Sequence, residues 1–182
     1  MKTIQIILFL FLAGTFSATA QYKTLHDFTA RTIDGEIFNF SELEGKKVLI
    51  VNTATECALT PQFKKLQELY EEYGGDDFEI VAFPSNDFGS QEPGDNARIK
   101  EFCKKKYGVS FLMMEKISIK DNPHPIYQWL MSSEENGTVD GRVIWNFQKF
   151  LIDENGVPVD FVSPVTGAYN RRIIEWLQED LQ

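Results

Sequence analysis

Apolar and polar positions along the chain alternate between strand-like runs and helix-like spacing. Two continuous apolar runs, Lys47–Thr53 and Phe78–Pro84, are typical of strands covered on both faces. Apolar residues at helical spacing predict one helix over residues 60–74 and another over residues 95–108. Thr60 is expected to cap the first of these helices, with a proline at the first helical position.

Further elements are predicted on either side of this central pattern. They are a hairpin over 28–40 around an Asp-Gly turn, a strand over 113–119, a helix over 125–132, a hairpin over 147–162 and a closing amphipathic helix over 170–181. The order predicts one α/β domain, in which a central mixed sheet is flanked by helices and preceded by a β-hairpin. A thioredoxin-like arrangement fits this order.

The first 20 residues have the pattern of a secretory signal peptide. A lysine at position 2 precedes an apolar run, and small residues before Ala20 offer a cleavage site. An uncleaved membrane anchor is the alternative, but the run is shorter than the roughly 18–20 residues that a span requires. We therefore expect a single domain over residues 21–182, exported to the periplasm or secreted, without stable membrane insertion.

The composition argues against several classes of function. The formal net charge is −9, which does not suit a nucleic-acid-binding protein. The chain has two histidines and two cysteines, and they show neither a metal-ligand spacing nor a C-x-x-C motif. We expect no metal and no cofactor.

Cys57 is the first candidate for chemistry. It follows the buried strand and precedes a helix, at the carboxyl edge of the sheet where sites gather in α/β folds. The positive end of that helix favours a negatively charged sulfur. The alternative is a small buried core residue, since unpaired cysteines are often buried.

Three neutral hydrogen-bond donors lie in other loops at strand ends. Gln91 is in a glycine-rich loop after the second buried strand, and Trp145 and Asn146 precede a later strand. Such donors can stabilise negative charge on sulfur or on a peroxide oxygen. Each also has a structural explanation, as a turn residue or a core aromatic.

Three separated motifs resemble the glutathione peroxidase family, in its cysteine-containing form. They are residues 51–57, ending at Cys57, residues 83–94 with the sequence FPSNDFGSQEPG, and residues 145–147 with the sequence WNF. The resemblance implies a thioredoxin-like fold and a catalytic set of Cys57, Gln91, Trp145 and Asn146. It also implies reduction of hydrogen peroxide and organic or lipid hydroperoxides through a sulfenic acid on Cys57. The chain departs from the family pattern at Ala58, Leu59, Ser85, Asp87 and Ser90, which leaves the four catalytic types intact.

Cys103 has more than one interpretation. It shares a helical stripe with Ile99 and Phe102, which favours a buried core thiol, and a static disulfide with Cys57 is a further alternative. The family resemblance instead implies a resolving cysteine, in the context Glu-Phe-Cys, which is re-reduced by a thioredoxin-like protein. Because disulfide geometry needs close Cα atoms, we expect the helix around residues 96–106 to unwind before the two cysteines bond.

Two further functions stay open at this level. A glutathione-dependent peroxidase is the alternative within enzymes, and a redox-sensing module that passes a disulfide to a partner is the alternative outside them. The short segment at 134–144 resembles the monomeric members of the family, so a monomer with an open active-site face is expected.

Overall fold

The strand predicted over Lys47–Thr53 forms the centre of a five-stranded mixed sheet, and every one of its residues is buried. This strand, β3, pairs in parallel with β4 (Phe78–Pro84) and antiparallel with β6 (Lys149–Ile152). The outer strands are β5 (Leu112–Met113), parallel to β4, and β7 (Pro158–Val162), antiparallel to β6. The order β5-β4-β3-β6-β7 confirms the predicted mixed sheet.

Helices cover both faces of this sheet. Side chains from α1 (Gln62–Tyr73), α2 (Asn96–Tyr107) and α5 (Arg171–Gln178) share one hydrophobic layer with one face of β3 and β4. On the other face, α3 (Pro125–Leu130) contributes to a second layer and is followed by the short α4 (Ser133–Asn136). The alternation of strands and helices in the sequence predicted helices on both faces of the sheet, and these two layers confirm it.

The N-terminal hairpin forms a separate two-stranded sheet. Its strands β1 (Thr29–Arg31) and β2 (Ile37–Asn39) pair antiparallel, and Gly35 in the turn has a φ of +86°. A left-handed conformation of this kind favours glycine, which explains the Asp-Gly turn. The amide of Ile33 donates to Met113 over 2.9 Å, so the hairpin lies beside β5.

Two predicted elements are shorter than their patterns indicated. The strand expected over 113–119 is limited to Leu112–Met113, with two isolated bridges beyond it, Thr32 with Met114 and Ser85 with Ile117. The amide of Lys116 instead bonds the side chain of Asn96 over 2.9 Å at the start of α2. The helix expected over 125–132 ends at Leu130.

This computed structural model describes residues 22–179. The predicted signal peptide and the last residues of the predicted closing helix lie outside this range. Within it, no helix combines the length and apolar character of a membrane span.

Candidate active site

Cys57 lies in a turn between β3 and α1 that is closed by the Thr60 side chain. The amide of Cys57 donates to Thr60 Oγ1 over 3.0 Å, and the same hydroxyl donates to the carbonyl of Ala54 over 2.9 Å. The prediction that Thr60 caps α1 is therefore wrong. The helix begins at Gln62 after Pro61, and its N-terminus has no side-chain cap. Thr60 fixes the cysteine turn because its hydroxyl accepts a hydrogen bond from Cys57 and donates one to Ala54.

Cys57 is a free thiol, and the residue is 7% exposed. The amide of Leu59 points at Sγ over 3.3 Å. The half-buried Leu59 side chain packs against the same hydrophobic layer. The thiol is thus nearly enclosed, with one backbone donor directed at it.

Gln91 and Asn146 contact each other through their side chains. Asn146 Nδ2 donates to Gln91 Oε1 over 3.1 Å and to the carbonyl of Phe88 over 3.2 Å. The carbonyl of Gln91 accepts a hydrogen bond of 3.0 Å from the amide of Glu56, the residue before Cys57. Since the amide oxygen of Gln91 is occupied, its NH₂ group is the part available as a donor.

Trp145 lies against the same glycine-rich loop. A side chain at Gly89 would begin only 3.2 Å from Trp145 Cη2, and Gly89 has a φ of +72°. The Trp145 ring meets that of Phe88 edge-on, with centroids 6.2 Å apart, and the residue is 38% exposed. The structure therefore brings Gln91, Trp145 and Asn146 together beside the Cys57 turn.

Asn52 fixes the position of the Trp145–Asn146 segment, and sequence reasoning missed it. Its Nδ2 donates to the carbonyl of Trp145 over 3.2 Å, and its Oδ1 accepts from the amide of Gln148 over 3.0 Å. Its backbone carbonyl accepts from Phe147, a non-glycine residue with a φ of +69°. A polar residue ending an apolar strand was the signal that could have revealed this role.

Glu92 is a second residue that the sequence did not single out. Its carboxylate is fully buried, and Oε1 accepts a hydrogen bond of 2.6 Å from the hydroxyl of Thr55. Burial raises the pKa of Glu92 above its ordinary value, although the bond from Thr55 acts in the opposite direction. Its second oxygen has no hydrogen-bond partner in the part of the chain described. Glu92 joins the glycine-rich loop to the segment that leads to Cys57.

Lys149 lies on β6, just after the Trp145–Asn146 segment, and is fully buried. Its ammonium donates to Gln62 Oε1 over 2.6 Å and to the carbonyls of Thr166 and Pro164 over 2.5 and 3.2 Å. Burial lowers the pKa of Lys149 to about 7. This lysine connects the start of α1 to the loop after β7.

Cys103 lies apart from this cluster of polar groups, on the inner side of α2. It is wholly buried in the hydrophobic layer that also contains Cys57. Burial raises the pKa of its thiol to about 12, and the negative charge of Glu92 acts in the same direction. Both cysteines are free thiols, so the static disulfide considered from the sequence is not formed in this structure.

Across residues 22–179, no three His, Cys, Asp or Glu side chains come together as a potential metal site. The donors near the cysteine are amides, an indole and backbone N–H groups, which suit an oxygen substrate rather than a cation.

The sequence profile of glutathione peroxidase matches residues 25–131. A glutathione peroxidase of Lactococcus lactis is 44% identical over 142 residues, covering 78% of this chain and 90% of that protein. A glutathione peroxidase-like peroxiredoxin of Schizosaccharomyces pombe is 43% identical, covering 78% and 89%.

Solved structures agree with this assignment. The crystal structure of Trgpx in apo form superposes with a TM-score of 0.64 at 34% identity, covering 89% of this chain and 97% of that one. A thioredoxin-family protein from Chlorobium tepidum, 21% identical, superposes with a TM-score of 0.56 over 88% of this chain and 99% of that one, and shows the shared fold. The predicted thioredoxin-like fold is confirmed, and the chain belongs to the glutathione peroxidase family.

Proposed function

We propose that this peroxidase reduces hydroperoxides through the thiol of Cys57. The observation that carries the proposal is the hydrogen bond from Asn146 to Gln91, beside the backbone bond from Glu56 to Gln91. Together these bonds gather amide donors from two distant loops next to the cysteine turn. A core cysteine would need no such arrangement.

The first step is attack of the Cys57 thiolate on one peroxide oxygen. The S–O bond forms as the O–O bond breaks, leaving a sulfenic acid on Cys57, and the departing oxygen takes a proton to become water or an alcohol. The NH₂ group of Gln91 and the indole N–H of Trp145 stabilise the negative charge that develops on that oxygen. Asn146 orients Gln91, because its side-chain amide donates to both Gln91 Oε1 and the carbonyl of Phe88.

The second step is condensation of Cys103 with the sulfenic acid. The Cys103 sulfur bonds to the Cys57 sulfur, and the hydroxyl leaves as water with the proton of the Cys103 thiol. Because Cys103 is wholly buried on α2, part of this helix unwinds before the sulfurs meet. A thioredoxin-like protein then reduces the disulfide; relatives named as glutathione peroxidase-like peroxiredoxins support this route.

Two variants test this scheme in a peroxide-consumption assay. Cys57→Ser should abolish turnover with every reductant, whereas Cys103→Ser should abolish turnover with thioredoxin and retain reaction of one equivalent of peroxide. Retained turnover in Cys57→Ser would refute the assignment of the nucleophile.

The same assay separates the alternatives. Glutathione-dependent turnover that survives Cys103→Ser would favour a glutathione peroxidase, and a disulfide passed to a partner without peroxide turnover would favour a redox sensor. Hydrogen peroxide, an alkyl hydroperoxide and a lipid hydroperoxide should be compared as substrates. Size-exclusion chromatography with light scattering tests the proposed monomer.

We further propose that the protein acts in the periplasm or outside the cell. Residues 1–20 have the signal-peptide pattern described above. Expression of the full chain followed by intact mass of the exported product should show a mature N-terminus near Gln21, and an unprocessed cytosolic product would contradict this proposal.

A further inference from the structure

The helix that carries Cys103 has a charge opposite to that of the whole protein. The formal net charge of the chain is −9, yet α2 contains Arg98 and four lysines against the single acid Glu101. The lysines are at positions 100, 104, 105 and 106. Every one of these four lysines lies within three residues of Cys103 in sequence. The positive charge therefore accompanies this cysteine whether α2 is folded or locally unwound.

Two of these lysines have no carboxylate partner among the described residues. Lys105 pairs with Glu101 over 2.5 Å and Lys100 pairs with Asp34 over 2.6 Å, but Lys104 and Lys106 lack such a neighbour. Lys106 instead lies over the Phe102 ring, 5.0 Å from its centroid. By helical spacing, Lys104 and Lys106 are on opposite flanks of the buried stripe that contains Cys103.

A groove runs along one flank of this helix. It lies between α2 and the N-terminal hairpin, has a volume of about 400 Å³ and is lined by Asp34, Lys100, Lys104, Ser110 and Phe111 among others. Asp34 and Glu36 also line this groove, and Asp34 pairs with Lys100, so Lys104 is the lining lysine without a carboxylate partner among the described residues.

We infer that Lys104 and Lys106, which flank the buried stripe of Cys103 on either side, form the docking surface for an acidic face of the thioredoxin-like reductant. This inference rests on the proposed function, because the reductant must reach the disulfide that Cys103 forms. Surface complementarity of charge raises association rates and selects partners. A partner with a basic face would meet repulsion at the same place.

The lysines also suit the chemistry of reduction. The first thiolate of the reductant attacks the Cys103 sulfur, the Cys57 thiolate leaves, and a mixed disulfide forms. The second thiol of the reductant then attacks its own sulfur in that bond, and Cys103 leaves as a thiolate that takes a proton. The reductant ends as a disulfide and the peroxidase as two thiols. Nearby ammonium groups favour the departing Cys103 thiolate, which accelerates this step.

The test compares two charge reversals of equal size. Lys104→Glu/Lys106→Glu changes the proposed surface, whereas Lys23→Glu/Lys46→Glu changes lysines outside α2. Lys46 donates to the carbonyl of Gly75 just before β3 begins, and Lys23 lies over the Phe28 ring on the opposite layer. The measured quantity is kcat/KM for an acidic bacterial thioredoxin at several salt concentrations, with dithiothreitol as a small uncharged reductant.

We expect the first variant to lose about tenfold in kcat/KM for thioredoxin at low salt, and this loss to shrink as salt screens the charges. Turnover with dithiothreitol, and all activities of the Lys23→Glu/Lys46→Glu variant, should stay within about twofold of the wild type. A thioredoxin whose acidic residues around its active site are replaced by lysine should prefer the first variant.

Four results would overturn the inference. An unchanged kcat/KM for thioredoxin, or an equal loss with dithiothreitol, would contradict docking at this surface. Loss of binding to phosphatidylglycerol vesicles with thioredoxin kinetics intact would assign the lysines to an anionic membrane. Absence of thioredoxin turnover in the wild type would contradict the proposed reductant itself, which distinguishes this outcome from the other three.

Discussion

Asn146 donates its side-chain amide to the side-chain oxygen of Gln91, 3.1 Å away, and thereby settles which end of the Gln91 amide is available to a substrate. Asn146→Asp removes this donor at nearly constant volume. We expect a loss of about 10²-fold in the rate of Cys57 oxidation by hydrogen peroxide, which is typical of removing one donor from a charge-stabilising site. Stopped-flow Trp fluorescence of the reduced protein measures this rate.

Thermal unfolding is the control for that variant, because Asn146 is buried. A loss of rate without a large fall in Tm would support a role in the site. Unchanged oxidation kinetics would show that the contact with Gln91 has no part in the reaction.

Two buried threonines make a matched pair for testing the cysteine turn. Thr60 Oγ1 is bonded to the amide of Cys57 and the carbonyl of Ala54, whereas Thr53 Oγ1 has no hydrogen-bond partner among the residues described. Thr60→Val should lower the free energy of unfolding by about 1–3 kcal/mol and slow Cys57 oxidation, since a buried amide loses its acceptor. Thr53→Val should be neutral or stabilising. Urea denaturation and peroxide kinetics on both variants give the comparison, and equal effects would contradict the role of Thr60.

Opening of α2 can be tested by weakening the helix on its exposed side. Glu101→Gly costs α2 about 1 kcal/mol of helix propensity without touching the core. If opening limits disulfide formation, this variant should accelerate it about fivefold after peroxide addition. Rapid quenching with an alkylating reagent, followed by intact mass, measures the disulfide.

Glu68→Gly in α1 is the control for that experiment. Each glutamate pairs with a lysine on its own helix, Glu68 with Lys65 and Glu101 with Lys105. Acceleration only in the α2 variant is expected. Equal rates in both variants and the wild type would show that helix opening does not limit the step.

Lys149 should give the protein a characteristic dependence of stability on pH. Its pKa is about 7 in the folded state and about 10.4 in an unfolded chain. Between these values the unfolded state binds more protons, so the free energy of unfolding rises with pH. Relative to Lys149→Met, the wild type should gain up to about 1.4 kcal/mol per pH unit from pH 7 to 10.

Urea titrations at four pH values would measure this difference. Lys46→Met, which changes a lysine outside the core, should show no comparable trend. A constant difference between wild type and Lys149→Met at every pH would mean that Lys149 keeps its proton throughout, held by its three oxygen acceptors.

Elements with one dominant local signal were predictable from the sequence. The apolar run of β3 and the bounds of α2, expected over residues 95–108, were predicted within a residue of the structure. Thr60 was misassigned because a hydroxyl before a helix can serve either the helix or the preceding turn, and only the closed turn decides between them. The strand after Met113 was overestimated since Lys116 bonds to Asn96, a contact between segments that no local pattern records.

The residues of the candidate site also differ in whether a local sequence signal predicts them. Cys57, Gln91, Trp145 and Asn146 carry recognisable motifs, and the structure brings the last three together. Asn52 and Glu92 were missed because each is an ordinary polar residue locally and its role depends on a contact distant in sequence. Asn52 joins β3 to the Trp145–Asn146 segment, and Glu92 joins the glycine-rich loop to the segment before Cys57.

Because Cys103 is buried, the proposed mechanism makes the turnover rate depend on the stability of the hydrophobic layer around it. A resolving thiol on a flexible loop could act without disturbing the packing, but under the proposed mechanism Cys103 must leave a layer that also holds α1 and β4. In each catalytic cycle that uses Cys103, this hydrophobic layer is then open for part of the time. Agents that compact the protein, such as a stabilising osmolyte, should protect it from heat and slow its turnover together.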